Sequence, residues 1–269
     1  MSTMASFRAR THSLDGLSFV EHRPEGPPTR TALLLHGIGG NAATFGELGD
    51  LLADRGVHAV AWDAPGYGRS SDPRVDVDLV DRLVSAIIAR RWGPVDIVGT
   101  SWGGVIATVL AHRRPGLVRS LALADSTRGS GTTAPKAAAM RARVDELAAI
   151  GPEQFAARRA ARLVSPTADD EVAVQVRRQM ARVRVPGYRA AAEFMASTDT
   201  EQILPSILVP TLVLVGEHDV VTGVDESRLL SERIPGAELT IIPRAGHAAV
   251  SERPGPVADA ITDFWAGRA

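Results

Sequence analysis

The amino-acid sequence predicts an α/β fold, and three observations carry this prediction. Short apolar runs alternate with amphipathic segments of helical period along most of the chain. Strands that alternate with helices are typical of βαβ units, whose strands pair in parallel. The chain has 269 residues, of which 45% are hydrophobic, so it can bury a sizeable core. We therefore expect one mostly parallel sheet flanked by helices.

Eight strands are predicted in chain order. The first two form a hairpin over residues 6–22, with the turn at Asp15-Gly16. The other six are short apolar runs of the kind that form buried strands. They lie at residues 31–37, 57–63, 95–99, 118–125, 210–216 and 237–243.

Amphipathic helices are predicted between these strands and after the last one. The helix at 41–56 stops at Gly56, because glycine favours a helix end, and the helix at 102–115 is closed by Pro115. The others lie at residues 77–92, 226–234 and 256–268.

Residues 127–201 interrupt the alternation between the sixth and seventh strands. They contain helix-type segments and no convincing strand, and twelve basic residues there accompany nine acidic ones. Three breaker pairs divide the stretch into four predicted helices: Gly151-Pro152, Ser165-Pro166 and Pro186-Gly187. We predict a core of residues 1–126 and 202–269, with residues 127–201 as a helical insertion.

Composition excludes several classes of protein. The formal net charge of −1 gives no sign of a nucleic-acid partner, and the absence of cysteine excludes disulfides and thiolate chemistry. The N-terminal residues MSTMASFRARTHSLDG lack the apolar core of a signal peptide. No apolar stretch approaches the ~18 residues of a membrane span. We expect a cytoplasmic monomer or homodimer that acts on a small molecule without membrane contact, cofactor or metal.

Ser101 lies in the heptapeptide VGTSWGG, between a predicted strand and a predicted helix. Gly99 and Gly103 stand two residues on either side, where a nucleophilic serine on a strained turn needs small neighbours. The N-terminus of the following helix would stabilise developing negative charge. The pattern predicts that Ser101 is a nucleophile; the alternative is a glycine-rich turn in which the serine caps the helix.

A serine nucleophile needs a base. Sites in open α/β sheets lie at the carboxyl ends of the strands, and three of the seven histidines follow strands: His36, His218 and His247. The glycine in the sequence RAGHAAV lets the chain bring His247 back over Ser101. We predict that His247 is the base; the alternative is a loop histidine exposed to solvent.

The base needs a carboxylate to orient it. Asp63, Asp125 and Asp219 each follow a predicted strand. The order Ser101, Asp219, His247 matches the order serine, acid, histidine of one known triad arrangement. We therefore favour Asp219 and keep Asp125 as the alternative acid, whereas Asp63 is predicted to cap the loop that follows it.

Acyl transfer also needs donors for the oxyanion. The N–H of Trp102, the residue after the nucleophile, is one predicted donor. The sequence HGIGG after the first parallel strand supplies the second, and we choose Ile38, with Gly39 possible. A plain strand-to-helix turn is the alternative interpretation of HGIGG. The predicted substrate-binding residues are Gly37, Gly39, Phe45 and Phe194.

Five ordered motifs, HGIGG, DAPGYGRS, GTSWGG, GEHD and AGHAAVSERP, resemble those of the α/β-hydrolase superfamily. AWDAPGYGRS and LALADS are most similar to the branch of 3-oxoadipate enol-lactonases, small esterases and carbon–carbon bond hydrolases. The resemblance implies an eight-stranded, mostly parallel sheet and a helical cap formed by residues 127–201. Serine at position 101 disfavours the members with an aspartate nucleophile. Trp102 is bulkier than the residue often found there, and its indole is expected to limit what can bind.

These observations predict a serine hydrolase that cleaves a small carboxylic ester or lactone through an acyl-enzyme. The alternatives are a carbon–carbon bond hydrolase, and a ligand-binding protein or lyase of the same fold. The predicted cap carries ten arginines beyond Arg128, most of them expected on solvated helix faces. One or two could line the pocket and bind a substrate carboxylate.

Overall fold

The computed structural model describes residues 9–74 and 77–267, and one eight-stranded sheet lies at its centre. Residues 6–8 of the predicted first strand lie outside the described residues. The strands are β1 (Ala9–Leu14), β2 (Leu17–His22), β3 (Arg30–Leu35), β4 (Val57–Asp63), β5 (Val95–Thr100), β6 (Val118–Ala124), β7 (Thr211–Gly216) and β8 (Glu238–Ile242). Each lies within about two residues of its predicted position, which confirms the strand assignments from apolar runs.

The strand order is β1-β2-β4-β3-β5-β6-β7-β8. β2 pairs antiparallel with both β1 and β4, and every pairing from β4 to β8 is parallel. The chain moves from β3 to β4 in one direction and then crosses to β5 on the other side of β3. The strand order thus reverses beside β3, and such a switch point opens a crevice at the carboxyl ends of the strands.

Nine helices lie within the described residues 9–74 and 77–267. They are α1 (Gly46–Asp54), α2 (Leu79–Arg90), α3 (Trp102–Arg113), α4 (Ala134–Arg159), α5 (Asp170–Met180), α6 (Val185–Ser197), α7 (Val224–Arg233), α8 (Ala249–Glu252) and α9 (Pro254–Ala266). In place of the single helix predicted over 41–56, the structure has a 3-10 turn followed by α1. Asn41 caps the start of the turn, because its side chain accepts a hydrogen bond from the Ala43 N–H. The short α8 was not predicted.

Two apolar clusters hold the helices against the sheet. One lies against α2 and α3 and includes Leu33, Ile97 and Leu110; the other lies against α1 and α9 and includes Leu34 and Phe264. Leu33 and Leu34 are neighbours on β3, and the pleat of a strand sends successive side chains to opposite faces. Both faces of the sheet are therefore buried, as parallel sheets require.

Residues 127–201 contain α4, α5 and α6 between β6 and β7, without a described strand. Gly151 breaks α4 with a φ of 75°, so the stretch holds four helical pieces, as predicted. α6 contacts the loop after β4: the Arg184 Nη2 donates to the Ser70 carbonyl at 2.7 Å, and Gly187 lies directly against Gly66. No described helix is long and apolar enough to cross a membrane.

Candidate active site

Ser101 occupies the sharp turn between β5 and α3. Its φ of 51° and ψ of −115° are strained for a residue with a side chain. A Cβ added at Gly99 would meet the Gly103 carbonyl, and one at Gly103 would collide with the Leu35 carbonyl. The glycines therefore let β5, α3 and the end of β3 approach closely enough to hold the turn. This geometry fits the predicted turn, in which the serine side chain stands exposed above the sheet.

His247 and Asp219 are hydrogen-bonded to each other, and His247 borders the same cavity as Ser101. The Asp219 carboxylate accepts a hydrogen bond from His247 Nδ1 on Oδ2 at 2.9 Å. It also accepts from the Thr222 hydroxyl at 2.5 Å and, on Oδ1, from the Val221 N–H at 2.7 Å. Because an ionised carboxylate only accepts, Nδ1 carries the proton and Nε2 is left with its lone pair. Such an imidazole is set to take a proton at Nε2.

The electrostatics of this pair favour the charged carboxylate. Burial would raise the pKa of Asp219, but the hydrogen bond and charge of His247, with the donors from Thr222 and Val221, lower that pKa to about 2. Burial lowers the pKa of His247, and the hydrogen bond and charge of Asp219 outweigh burial and raise it above 6.5. The imidazolium formed by a proton transfer is therefore stabilised where it forms.

Asp125, the alternative acid, has a different environment. It is 0% exposed, and its Oδ1 accepts from the Gly216 N–H at 2.8 Å. Its Oδ2 has no hydrogen-bond partner among the described residues. Burial raises the pKa of Asp125 to about 8 although the charge of His247 opposes this, so the group is largely protonated at pH 7. The histidine hydrogen bond goes to Asp219, the acid favoured from the sequence.

The loop after β3 is organised by a buried histidine. His36 Nδ1 donates to the Gly37 carbonyl at 2.8 Å, and its Nε2 accepts from the Ala64 N–H at 3.1 Å. Burial lowers the pKa of His36 to about 4, so the ring stays neutral and keeps both hydrogen bonds. His36 therefore holds the loop in place and is not available as a base.

Ile38 and Gly39 lie at the apex of a turn that the Gly40 N–H closes onto the Gly37 carbonyl at 2.9 Å. The Tyr67 hydroxyl donates to the Ile38 carbonyl at 3.0 Å, which fixes the orientation of that peptide. Trp102, the other predicted donor, is the first residue of α3, where backbone N–H groups have no acceptor within the helix. The two candidate donors thus border the same pocket as Ser101.

A cavity of about 370 Å³ connects these groups. The residues predicted for the site that border it are Ser101, His247, Gly37, Ile38, Gly39 and Trp102. The helical insertion supplies further lining, including Met140, Met180, Tyr188 and Met195. Across the ranges 9–74 and 77–267, no group of three or more His, Asp or Glu side chains is arranged to hold a metal ion.

Two predicted pocket residues lie elsewhere. Phe45 is 0% exposed and belongs to the apolar cluster between the sheet, α1 and α9. Phe194 is partly buried against the other cluster, and the neighbouring Met195 lines the cavity instead. Successive helical residues are rotated by about 100° around the axis, so adjacent side chains face different surroundings. Both assignments are corrected by the structure.

The Trp102 indole also departs from its prediction. It is 2% exposed and packs against the rings of Tyr67 and His36, with centroid separations of 5.6 and 5.9 Å. The side chain therefore belongs to the core beside the loop after β3 and does not restrict the pocket as expected. By contrast, Asp63 caps its loop as predicted, because its carboxylate accepts from the Ala42 N–H at 2.8 Å and the Arg69 N–H at 2.9 Å.

Three supporting residues were missed from the sequence: Tyr67, Thr222 and Glu252. Tyr67 lies in the motif DAPGYGRS. Thr222 follows Asp219 at a spacing where a threonine hydroxyl can donate a hydrogen bond to the aspartate side chain. Glu252 accepts from the Gly246 N–H and the Ser165 N–H, each at 2.8 Å. No local pattern in the sequence predicts the role of Glu252, because Ser165 is distant in the sequence and Gly246 lies in the loop before α8.

Comparisons with known structures agree with this architecture. A thermophilic esterase from Thermogutta terrifontis superposes with a TM-score of 0.85 over 96% of this chain and 97% of its own, at 24% identity. An enol-lactonase from Burkholderia xenovorans gives a TM-score of 0.82 over 96% and 100%, at 20% identity. These similarities show the α/β-hydrolase fold.

A family model described as the alpha/beta hydrolase family matches residues 32–260. The chain belongs to this family, which confirms the resemblance and the enzyme class predicted from its motifs. A pimeloyl-[acyl-carrier protein] methyl ester esterase of Chromobacterium violaceum is 32% identical over 86% of this chain and 91% of its own. A poly(3-hydroxyalkanoate) depolymerase of Ectopseudomonas oleovorans is 30% identical over 95% and 91%.

Proposed function

We propose that this enzyme hydrolyses a small carboxylic ester or lactone through an acyl-enzyme on Ser101. The observation that carries the proposal is the hydrogen bond from His247 Nδ1 to Asp219, on a histidine that borders the same cavity as Ser101. The named activities of the two sequence relatives, a methyl ester esterase and a polyester depolymerase, support an ester substrate.

In the proposed mechanism, His247 Nε2 takes the Ser101 hydroxyl proton while the oxygen attacks the ester carbonyl. The N–H groups of Ile38 and Trp102 stabilise the oxyanion. His247 then returns the proton to the leaving alcohol, and the acyl group stays on the serine. A water molecule activated by His247 releases the acid and regenerates the enzyme.

We further propose that residues 127–201 form a cap over the core of residues 1–126 and 202–269. This division is supported by the cavity, whose lining comes from both parts of the chain. The cap would select the substrate and the core would supply the chemistry. The cytoplasmic location and the choice between monomer and homodimer stay predictions from the sequence.

The test is hydrolysis of p-nitrophenyl acetate by the wild-type enzyme and by Ser101→Ala. Loss of a triad nucleophile costs on the order of 10⁶ in turnover, so we expect no activity above background. Ser231→Ala, at a partly exposed serine of α7 outside the cavity, is the matched control and should retain wild-type turnover. Near-wild-type turnover by Ser101→Ala would overturn the proposal.

A burst of p-nitrophenol separates the enzyme from its alternatives. An acyl-enzyme gives a burst that equals the enzyme concentration when deacylation is slow. Ester binding without product would favour a ligand-binding protein, and cleavage of a vinylogous diketone in preference to esters would favour a carbon–carbon bond hydrolase.

A further inference from the structure

The cavity contains more cations than anions. Its lining includes four cationic side chains from the helical insertion: Lys136, Arg143, Arg159 and Arg162. Among the described lining residues Glu226 is the single acidic side chain, and Arg128 already binds it through both guanidinium Nε and Nη2. The lining of the pocket therefore carries more positive than negative charge.

These four cations are not equivalent. Arg159 forms an ion pair with Glu146, and Lys136 and Arg162 are exposed to solvent. Arg143 is half-buried, and among the described residues no carboxylate lies within ion-pair distance of it. Arg143 is thus the cation whose charge is least compensated by solvent or by a partner.

Its position on α4 is unusual for a charged residue. Ala139, Met140, Arg143 and Leu147 follow the spacing of one helix face, and Met140 and Leu147 are buried. The Arg143 stem can pack along this apolar face while its guanidinium reaches the cavity. A cation is therefore placed on the inner face of the helix, where an apolar side chain would be the ordinary choice.

The contacts of Arg143 place its charge near the reacting groups. Its guanidinium interacts with the buried Tyr188 hydroxyl, and its charge lowers the pKa of His247 against the stronger effect of Asp219. Both Tyr188 and His247 line the cavity. A half-buried guanidinium without an anionic partner gains a charge-assisted, bidentate hydrogen bond when a carboxylate binds.

We propose that Arg143 is a specificity-determining residue that binds a carboxylate of the substrate, so that the enzyme prefers esters or lactones carrying a second, free carboxylate. The methionines and other apolar lining would contact the aliphatic chain between that carboxylate and the ester. This inference rests on the proposed ester hydrolysis, because it names the substrate class of the same site.

The test compares two esters of equal size. Mono-p-nitrophenyl adipate carries a free carboxylate, and p-nitrophenyl 6-methylheptanoate carries two methyl groups in place of its oxygens. We expect wild-type kcat/KM to be higher for the acidic ester. Arg143→Met should reduce this preference roughly 10- to 100-fold, since it removes a hydrogen bond to a charged group. Arg143→Lys should retain part of the preference.

Arg158→Met is the matched control, because Arg158 is an exposed arginine of the same helix outside the cavity. It should leave the ratio of the two kcat/KM values unchanged, and thermal unfolding should show that all the variants are folded. Equal kcat/KM values for the two esters in the wild type would overturn the inference. So would a preference that Arg143→Met does not alter.

Binding separates a failure of this inference from a failure of the proposed function. Ser101→Ala protein can be titrated calorimetrically with each intact ester, which needs no turnover. If neither ester is hydrolysed by the wild type, the hydrolase proposal fails; tighter binding of the acidic ester, lost in the double variant Ser101→Ala/Arg143→Met, would still support the carboxylate site. Equal binding of the two esters would contradict it.

Discussion

Asp125 and Asp219 both follow sheet strands and both lie near His247, yet their pKa values shift in opposite directions. Asp219 has donors on both oxygens, and the charge of His247 favours its ionised form. Asp125 is fully buried and its Oδ2 has no hydrogen-bond partner in the part of the chain that the structure describes, so its neutral form is favoured. Which of the two carboxylates is ionised and bound to His247 is therefore decided by hydrogen bonds and burial, and the residue type alone does not determine it.

At this residue scale we predict a changed pH profile for Asp219→Asn. In the proposed mechanism neutral His247 is the base, so we expect activity to rise as the pH passes the pKa of His247. Asp219 raises that pKa above 6.5. Its replacement should therefore move the acidic limb of kcat/KM to lower pH and reduce the maximum by about 10⁴-fold.

The measurement is kcat/KM for p-nitrophenyl acetate across the titration of the imidazole. Asp225→Asn, at an almost fully exposed aspartate of α7, serves as the control and should keep the wild-type profile. An acidic limb that stays in place in Asp219→Asn would show that Asp219 does not set the ionisation of His247.

At the scale of elements, the nucleophile turn depends on how closely α3 approaches the end of β3. Gly103 lies in the first turn of α3, directly against the Leu35 carbonyl. The loop with the proposed oxyanion donor Ile38 begins at the next residue after β3, in the same contact region. A change in this spacing would alter the distance between Ser101 and the Ile38 N–H as well as the stability of the sheet.

We therefore expect Gly103→Ala to be destabilising and poorly active. The added methyl group forces the helix away from β3, and overpacking of this kind costs about 1–3 kcal/mol, occasionally more. Thermal unfolding and turnover of p-nitrophenyl acetate measure the two effects. Gly46→Ala is the control, since nothing lies within 4 Å of a Cβ at that helical position. Wild-type stability for Gly103→Ala would contradict the argument.

At the scale of the whole molecule, polar contacts hold the helical insertion to the rest of the chain. Arg128 bridges Glu201 and Glu226. On the other side of the pocket, the Glu252 carboxylate accepts from Ser165 in the insertion and from Gly246, the residue before His247. The position of the histidine loop is therefore coupled to the position of the insertion.

Glu252→Gln should weaken this coupling. The amide nitrogen of glutamine would face a backbone N–H, so one charge-assisted hydrogen bond worth about 1.5–3 kcal/mol is lost. We expect a lower unfolding temperature together with reduced kcat/KM for p-nitrophenyl acetate. Glu232→Gln, at an exposed site on α7, should change neither. A variant that loses stability but keeps full activity would argue against a role for Glu252 in placing His247.

Local patterns were enough to predict the strands from their apolar runs. The strand-end rule selected Ser101, Asp219 and His247, and in the structure Asp219 is hydrogen-bonded to His247, which borders the same cavity as Ser101. Side-chain positions that depend on packing between distant parts of the chain were not predictable. Phe45 and Phe194 are apolar residues that were predicted to bind substrate, but nothing in the sequence shows which apolar cluster each side chain packs against. The Trp102 indole likewise faces the core because Tyr67, distant in the sequence, lies there.

The residues of the helical insertion that line the cavity come from one uninterrupted stretch of the chain, between β6 and β7. Ser101, Asp219, His247 and Ile38 come from four separate loops. A single exchange of the corresponding gene segment could therefore replace Arg143 and the methionines around it at once and keep the sequence of all four loops, provided that the new segment retains the contact of Ser165 with Glu252. Under the proposed function, the residues that would select the substrate lie in one block of the gene, and the residues that would react with it are spread along the gene. That separation lets the range of substrates diversify by recombination, while the chemistry is preserved.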